Sequence, residues 1–403
     1  MFPDLLRGKK ILLAVTGSIS VYKSLELIRL YIKSGAEVRV LMSESAKKFI
    51  TPLTFETISM NKVLHNETES WDNDLNHIKI GDWADAFVIA PASANTIAKL
   101  SQGISDNLLL QTALAYAGEK LLCPAANTNM INNPIISLSM QNLALCNYTI
   151  MDTQTKLLAC NTKGDGALID IEEIYFKTVQ MLLKEEFWEN RSVIVSAGGS
   201  IEKIDDVRYL SNFSSGKMGS SLALALFFKG ADVSFVSSKF PLRLPILMKQ
   251  IEVHSSKQMK EELDKSLVLL KNSELKPFVF MAAAVSDYIP HATSGKLKKT
   301  NIGEDWSLEL KQNVDILASL DKENVFSIGF KAEMDEKSAL GNAEAMLKKK
   351  DLDAVCLNLL KDDKSFGTQD NAIEFLTKTG QVSLPSQDKL SLSLALLELC
   401  KSL

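Results

Sequence analysis

The chain has 403 residues, of which 46% are hydrophobic and 23% charged, and its formal net charge at pH 7 is −4. This composition excludes disordered, collagenous and coiled-coil classes, and the acidic balance excludes a global basic surface for nucleic acid, although not a local basic patch. At about 150 residues per domain, the length predicts roughly two to three domains.

The N-terminal segment and the cysteines favour a cytoplasmic protein with no membrane partner. The acidic charge balance argues against a nucleic-acid partner. The first apolar run, residues 11–15, is too short for a signal peptide, and no segment approaches the about 18 apolar residues of a membrane helix. The five cysteines are scattered and form no CxxC pair. This pattern favours a reducing compartment and argues against disulfides or a zinc site.

The first 190 residues show strands alternating with helices. A β-rich run at 10–16 is followed by the turn Gly17-Ser18-Ile19, an amphipathic helix and a second strand. The alternation predicts a parallel sheet covered on both faces, that is, a doubly wound α/β domain. The predicted strands lie at 10–16, 37–42, 86–90 and 120–125, and the predicted helices at 21–33, 94–101, 107–117 and 171 to about 187.

Small and polar residues follow three of these strands. Gly17-Ser18-Ile19 can present backbone N–H groups to an anion, but without the full GxGxxG fingerprint a mononucleotide or flavin phosphate fits better than NAD, and a plain tight turn is the alternative. Ser93, Asn95 and Asn127 follow the next two strands. Because the carboxyl ends of parallel strands meet at one edge, a pocket is predicted there.

Two further residues are candidates for chemistry. His77 precedes a strand, although a lone histidine is more often a surface residue than a catalytic one. Cys160 lies in a polar loop, where an exposed thiol is a candidate acid or nucleophile.

Taken in order over residues 8–180, these motifs resemble the flavin-dependent cysteine decarboxylases. The resemblance implies a flavodoxin-like or Rossmann-like FMN domain that decarboxylates 4′-phosphopantothenoylcysteine, with FMN as the electron sink that oxidises the substrate thiol to a thioaldehyde. It also implies that His77 acts as base or orienting group, that Asn127 binds the carboxylate and that Cys160 donates the last proton. The implied cofactor-binding residues are Gly17, Ser18, Ile19, Ser43, Ser93 and Asn95.

The strand–helix pattern restarts after a polar junction at residues 188–191, which predicts a second α/β domain from residue 191. A hairpin is predicted at 372–384, and a closing helix from about residue 386. The predicted strands lie at 192–197, 232–237, 278–283, 325–330 and 354–357, and a helix at 217–229.

Three motifs of this second domain are candidates for binding phosphate and nucleotide. The Gly216-Lys217 pair lacks P-loop spacing, because Met218 stands where Ser or Thr is needed; a phosphate site and a capping loop with a solvated Lys217 remain open. Asp287 follows a strand, and the basic cluster 296–299 is either a solvated face or a polyphosphate clamp. Phe330 is either a base-stacking or a core residue.

These segments resemble phosphopantothenate–cysteine ligases, so that residues 8–400 together resemble the bacterial bifunctional flavoproteins of coenzyme A synthesis. The resemblance implies a C-terminal Rossmann-like ligase domain that uses CTP and Mg²⁺ and forms an acyl-cytidylate. It implies that Lys296 stabilises charge during cytidylylation and that Asn212 holds the acyl-nucleotide. The implied nucleotide-binding residues are Ala282, Ala283, Ala284, Asp287, Lys296, Val314, Asp315, Ile316, Leu317, Phe330 and Lys350.

The chain departs from the family pattern at several positions. Asn161-Thr162 and Ala167 replace residues of the clamp that carries the cysteine, and Met346 replaces a nucleotide-site lysine, whose role could pass to Lys348 or Lys349. The resemblance also implies a homo-oligomer, with trimeric decarboxylase and dimeric ligase domains in a dodecamer. The alternative is a flavin-binding regulatory protein without catalysis, against which the retained candidate catalytic residues argue.

Overall fold

The computed structural model describes residues 4–73, 75–157, 163–271, 273–298, 306–360 and 367–403. The chain divides into two units, Met1–Leu183 and Lys184–Leu403, each with its own sheet. Within the described residues, we find no helix with the length and apolar character needed to cross a membrane.

The first unit is built on a five-stranded parallel sheet with the strand order β2-β1-β3-β4-β5. This order reverses direction between β1 and β3, which is where ligands collect in doubly wound sheets. The strands are β1 (Lys10–Val15), β2 (Glu37–Met42), β3 (Ala86–Ala92), β4 (Lys120–Pro124) and β5 (Tyr148–Ile150), followed by the antiparallel pair β6 (Gln154–Leu157) and β7 (Lys163–Ala167).

Helices pack on this sheet, and several begin at a side-chain cap. Asn76, Ser93, Asn107 and Asn133 accept backbone N–H groups at the starts of four helices, which satisfies donors that have no partner within the helix. The helices are α1 (Lys23–Lys33), α2 (Pro52–Ser59), α3 (His77–Trp83), α4 (Ala94–Ser101), α5 (Leu108–Ala115), α6 (Thr128–Ile131), α7 (Pro134–Ala144) and α8 (Ile171–Leu183).

The second unit contains an eight-stranded sheet with the order β12-β11-β8-β13-β16-β17-β18-β19. Neighbouring strands pair in parallel from β12 through β17. β18 then pairs antiparallel with β17 on one side and with β19 on the other. Its strands are β8 (Ser192–Ala197), β11 (Asp232–Ser237), β12 (Lys249–Glu252), β13 (Phe278–Met281), β16 (Phe326–Glu333), β17 (Ala354–Leu359), β18 (Asp370–Thr377) and β19 (Gln381–Asp388).

Among the described residues, two small strand pairs and five helices complete this unit. Its longest buried run lies on α9, where every residue from Gly219 to Phe228 is buried. The pairs are β9 (Ile201–Lys203) with β10 (Tyr209–Ser211), and β14 (Tyr288–Pro290) with β15 (Leu310–Gln312). The helices are α9 (Lys217–Phe228), α10 (Ser256–Leu270), α11 (Ile316–Ser319), α12 (Glu336–Lys349) and α13 (Lys389–Cys400).

Two predicted element boundaries were wrong. Helix α8 ends at Leu183 rather than near residue 187, because Trp188 turns into the second unit and packs against Phe278, with ring centroids 4.9 Å apart. The closing helix begins at Lys389, since β19 continues to Asp388, whose side chain caps the helix. The polar junction 188–191 therefore lies inside the second unit.

Candidate functional site

A cavity of about 770 Å³ lies at the carboxyl ends of β1, β3 and β4. This volume falls within the about 300–1,000 Å³ typical of small-molecule sites. The structure brings together there most residues predicted to bind the cofactor or the substrate carboxylate, namely Gly17, Ser18, Ile19, Ser93, Asn95 and Asn127.

Hydrogen bonds between strand ends fix the backbone beside this cavity. Thr16 Oγ1 donates to Pro91 O and accepts the Ser93 N–H, both at 2.8 Å. Gly17 follows directly, and a Cβ there would lie 2.5 Å from the Ser45 Cβ. A side chain at Gly17 would therefore push the neighbouring loop away, which explains why glycine is needed at this turn.

The walls suit an anionic, partly apolar ligand such as a flavin mononucleotide. Lys23 and Lys156 line the cavity, and burial, followed by the nearby Lys156, lowers the pKa of Lys23. Ile19 and Phe49 supply apolar surface. Gly166 also lines the cavity, and a Cβ there would collide with the Ala126 carbonyl. The two lysines suit a phosphate group. The apolar side chains and the closely approaching backbone suit a ring system.

Two predicted residues of the first unit lie outside the cavity, and a third is not among the described residues. Ser43 does not line the cavity; its Oγ accepts the Ala46 N–H at 3.3 Å. His77 does not line the cavity either; it is the first residue of α3, and its Nδ1 lies 3.1 Å from Glu69 Oε1. Cys160 lies outside the described residues, as do Asn161 and Thr162.

Two adjoining compartments occupy the second unit, at the carboxyl ends of its parallel strands. Compartment A, of about 420 Å³, is lined by Asp287, Phe330, Lys350 and the segment 312–317. Compartment B, of about 380 Å³, shares those three residues and adds the start of α9. The structure places the predicted residues Ala283, Asp287, Val314, Asp315, Ile316, Leu317, Phe330 and Lys350 around A, and Asn212, Ala282 and Ala284 around B.

Lys350 lines compartment A and forms an ion pair there with Asp315. Its Nζ lies 2.8 Å from Asp315 Oδ2, while Asp315 Oδ1 accepts the Ala318 N–H at 3.0 Å. Partial burial alone would raise the pKa of Asp315, but the Lys350 ammonium and the Ala318 N–H outweigh it and lower the pKa. The pair holds a cation at the compartment wall, in position to meet an anionic ligand.

Compartment B contains a buried lysine that no sequence motif marks. Lys389 is only 8% exposed, and its Nζ donates to Thr368 O at 2.6 Å. Lys217 donates nearby, to Gly367 O at 2.8 Å. Burial, and then the proximity of Lys217, lower the pKa of Lys389. Two cations thus lie near the start of α9, which suits a phosphate group.

Lys296 lines neither compartment and lies on an exposed loop that is tied to the turn 205–208. Asp206 Oδ2 accepts the Gly295 N–H at 2.7 Å, and Asp205 Oδ2 accepts the Leu297 N–H at 3.1 Å. Trp306, which follows residues 299–305 in the sequence, lies under the Arg208 guanidinium, with Arg208 Cζ 4.7 Å from the ring centroid. These contacts fix the position of the loop. Lys296 itself lines neither compartment.

Met346 itself lines both compartments, whereas Lys348 and Lys349 line neither. Both lysines are exposed on the C-terminal turn of α12, so a role for either of them in place of the replaced lysine stays a prediction. Among the described residues, no group of three His, Cys, Asp or Glu side chains could hold a metal ion.

Other missed site residues are Lys23, Lys156, Asn358 and Asn371. Lys23 could have been found, because it lies only four residues after the predicted turn and begins α1. The other three reach their sites from elements far along the chain, so no local pattern marks them.

Comparison with known proteins matches both units. The family described as Flavoprotein matches residues 3–183, and the family described as DNA/pantothenate metabolism flavoprotein C-terminal domain matches residues 188–403. The coenzyme A biosynthesis bifunctional protein CoaBC of Vibrio parahaemolyticus is 34% identical over 404 residues, 99% of each chain. That of Bacillus subtilis is 34% identical over 405 residues, 98% of this chain and 97% of its own.

Solved structures match one unit at a time. A mutant PPC decarboxylase complexed with pantothenoylaminoethenethiol is 32% identical, covering 42% of this chain and 96% of its own with a TM-score of 0.39. The C-terminal domain of a CoaBC protein is 27% identical, covering 54% of this chain and 97% of its own with a TM-score of 0.43.

Proposed function

The chain belongs to the family of the coenzyme A biosynthesis bifunctional protein CoaBC, and from that premise we propose how its two units divide two consecutive reactions. It is a flavoprotein decarboxylase and a phosphopantothenate–cysteine ligase in one chain. The second unit ligates 4′-phosphopantothenate with cysteine through an acyl-cytidylate formed from CTP. The first unit then decarboxylates 4′-phosphopantothenoylcysteine to 4′-phosphopantetheine.

In the ligase, compartment A takes the nucleoside and compartment B the phosphates. Asp287 accepts hydrogen bonds from the cytosine edge, and Phe330 packs on the nucleotide where the two compartments meet. Lys350 and Lys389 neutralise phosphate charge. Mg²⁺ would be held by the CTP phosphates and would neutralise part of their charge when bound.

Asn212 and Lys296 act on the acyl group in this scheme. Asn212 lines compartment B and donates to Ala284 O at 3.2 Å, so its amide is already oriented toward the end of β13. It holds the acyl-cytidylate while the cysteine amine attacks. Lys296, carried by its tied loop, stabilises the charge that develops during cytidylylation.

In the decarboxylase, the 770 Å³ cavity holds FMN through Gly17, Ser18, Ile19, Ser93 and Asn95. When bound, FMN supplies the electron sink that loss of CO₂ requires. Asn127 binds the substrate carboxylate from the same cavity, His77 serves as base or orienting group, and Cys160 donates the final proton. Ser43, at the end of β2, supports the loop that carries Ser45.

We further propose a cytoplasmic homo-oligomer with trimeric decarboxylase and dimeric ligase units in a dodecamer. Helix α7 and the turn after it expose Ile135, Leu138 and Leu145 at 70%, 57% and 86%, an apolar surface of the kind that marks subunit contacts. The scattered cysteines, without a CxxC pair, support the reducing compartment in this proposal.

The observation that carries the proposal is the meeting of three separate strand ends in one cavity. Gly17→Ala places a methyl group against Ser45 and should release the flavin, whereas Gly81→Ala makes only ordinary contacts, the nearest at 3.8 Å, and should retain it. The bound flavin is identified by mass after denaturation of each purified protein. Retention of FMN by Gly17→Ala, or a flavin other than FMN in the native protein, would contradict the assignment.

A further inference from the structure

A carboxylate and an indole hold the imidazole of His77. Glu69 Oε1 lies 3.1 Å from His77 Nδ1, and Trp71 packs edge-on against the ring with centroids 5.7 Å apart. The side chains of His77 and Glu69 are 26% and 28% exposed, so water screens the pair less than it screens a surface ion pair.

The backbone brings this pair together across eight residues. Ser70 and Leu75 form an antiparallel bridge, with Leu75 N–H donating to Ser70 O at 3.0 Å, and the bridge closes a loop flanked by Glu69 and His77. The buried Asn76 caps the first turn of α3, on which His77 is the first residue. The bridge and the cap therefore set the geometry independently of the side-chain pair itself.

We propose that Glu69 is a positioning residue that selects the tautomer of His77 for decarboxylation. An ionised carboxylate only accepts hydrogen bonds, so the proton of the neutral ring lies on Nδ1 and the lone pair lies on Nε2. The proposal rests on the role of His77 in the proposed function. In that role Nε2 takes the proton of the substrate S–H bond as the carbon–sulfur double bond forms, and the hydrogen on the adjacent carbon would leave with its two electrons, as hydride, to the bound flavin.

The charge of Glu69 adds a second effect. Once Nε2 has taken up a proton, the imidazolium faces a carboxylate at hydrogen-bond distance, as in the histidine–aspartate pair of serine proteases. Replacement of Glu69 by glutamine removes this charge. It also removes the tautomer selection, because an amide can either donate to Nδ1 or accept from it.

A second histidine of the same unit provides an internal control with the opposite arrangement. His65 Nδ1 lies 3.1 Å from Lys47 Nζ, an ammonium that can only donate, whereas Glu67 Oε2 is 3.6 Å away. The neutral ring of His65 must accept at Nδ1 and carry its proton on Nε2. The two histidines are thus expected to be opposite tautomers, each set by its neighbour.

The tautomers can be read by ¹⁵N NMR of the whole protein labelled at histidine, at alkaline pH where the rings are neutral. The chain has four histidines, and His77→Asn identifies the signals of His77 by their loss. We expect the Nδ1–H form at His77 and the Nε2–H form at His65. Glu69→Gln should give a mixture at His77, and Glu67→Gln should leave His77 unchanged.

Decarboxylation should follow the same variants. Glu69→Gln should lower kcat for CO₂ release by about 10- to 100-fold, by analogy with other partners that orient a functional histidine, while retention of the bound flavin reports that the first unit is intact. Glu67→Gln should decarboxylate as the native protein does, and Glu69→Asp should recover part of the loss.

Two results would overturn the inference: an Nε2–H ring at His77 in the native protein, or native CO₂ release by Glu69→Gln when His77→Asn is impaired. Native CO₂ release by His77→Asn would instead remove the proposed role of His77 itself, so the two failures are distinguishable.

Discussion

Lys350 and Met346 lie four residues apart at the end of α12 and face the same compartments, yet only Lys350 can neutralise a phosphate. Met346 fills space beside Phe330: a Cβ placed at Gly329 would lie 2.6 Å from the Met346 Cε. The thioether therefore contributes packing in a site where the family pattern has a second cation. Nucleotide binding should therefore depend more heavily on Lys350 than it would if residue 346 were also a lysine.

Lys350→Met tests this dependence. Loss of a charge-assisted hydrogen bond costs about 1.5–3 kcal/mol, so the KM for CTP in pyrophosphate release should rise about 10- to 100-fold. Lys348→Met removes the same charge from an exposed position on the same helix and should leave the KM unchanged. Equal effects of the two substitutions would mean that only net charge matters and would contradict the assignment of Lys350.

At the scale of elements, the turn 205–208 anchors the loop that carries Lys296. Asp205 is buried, and its carboxylate accepts the backbone N–H groups of Val207, Arg208 and Leu297 in addition to the Arg208 guanidinium. The guanidinium, followed by these N–H groups, holds the pKa of Asp205 well below its ordinary value against the opposing effect of burial. An ionised Asp205 thus stabilises both the fold and the loop.

Asp205→Asn should lower Tm at neutral pH and slow cytidylylation. Because the folded-state pKa is depressed, the stabilisation by Asp205 is fully present above the unfolded pKa and is lost as the pH falls through the folded pKa. The Tm difference from the native protein should be constant between about pH 5 and 7 and shrink below about pH 4. Thermal unfolding across this range measures it.

Asp264→Asn is the matched control, since Asp264 pairs with Lys260 on the surface of α10 and touches no loop of the site. It should change neither Tm nor the rate of pyrophosphate release by a comparable amount. A Tm difference for Asp205→Asn that grows toward acidic pH would contradict the depressed pKa.

Local patterns predicted the strands and the residues that follow them, but not contacts between distant segments. The turn at Gly17 and the strand ends at Ser93 and Asn127 were found because small polar residues follow apolar runs. Helix α7 lies between the predicted elements at 120–125 and 171–187, where no helix was predicted, although Asn133 followed by a proline is a helix-start signal that could have been used. Lys389 could not be found, because its burial depends on contacts made by strands that precede it.

At the scale of the whole molecule, each unit has its own sheet and its own hydrophobic core. The first core includes Leu12 and Phe87, and the second includes Ile194 and Val279. Units of this size are large enough to fold alone. The covalent link is therefore not needed for either site as we describe it.

Residues 1–183 and 184–403, produced separately, should each keep one activity. The first fragment should bind FMN and decarboxylate 4′-phosphopantothenoylcysteine, and the second should release pyrophosphate from CTP with 4′-phosphopantothenate. Flavin absorbance and a pyrophosphate assay measure the two. A fragment that is folded by circular dichroism yet inactive would show that its site needs the other unit.

The full reaction tests the central claim most directly. Intact protein is incubated with 4′-phosphopantothenate, cysteine, CTP and Mg²⁺, and pyrophosphate, CO₂ and 4′-phosphopantetheine are quantified. All three should form in equal amounts, and Cys160→Ser should release pyrophosphate normally but form no 4′-phosphopantetheine. Folded, flavin-loaded protein that releases neither pyrophosphate nor CO₂ would contradict the central claim, and loss of pyrophosphate release in Cys160→Ser would contradict the assignment of the two reactions to separate units.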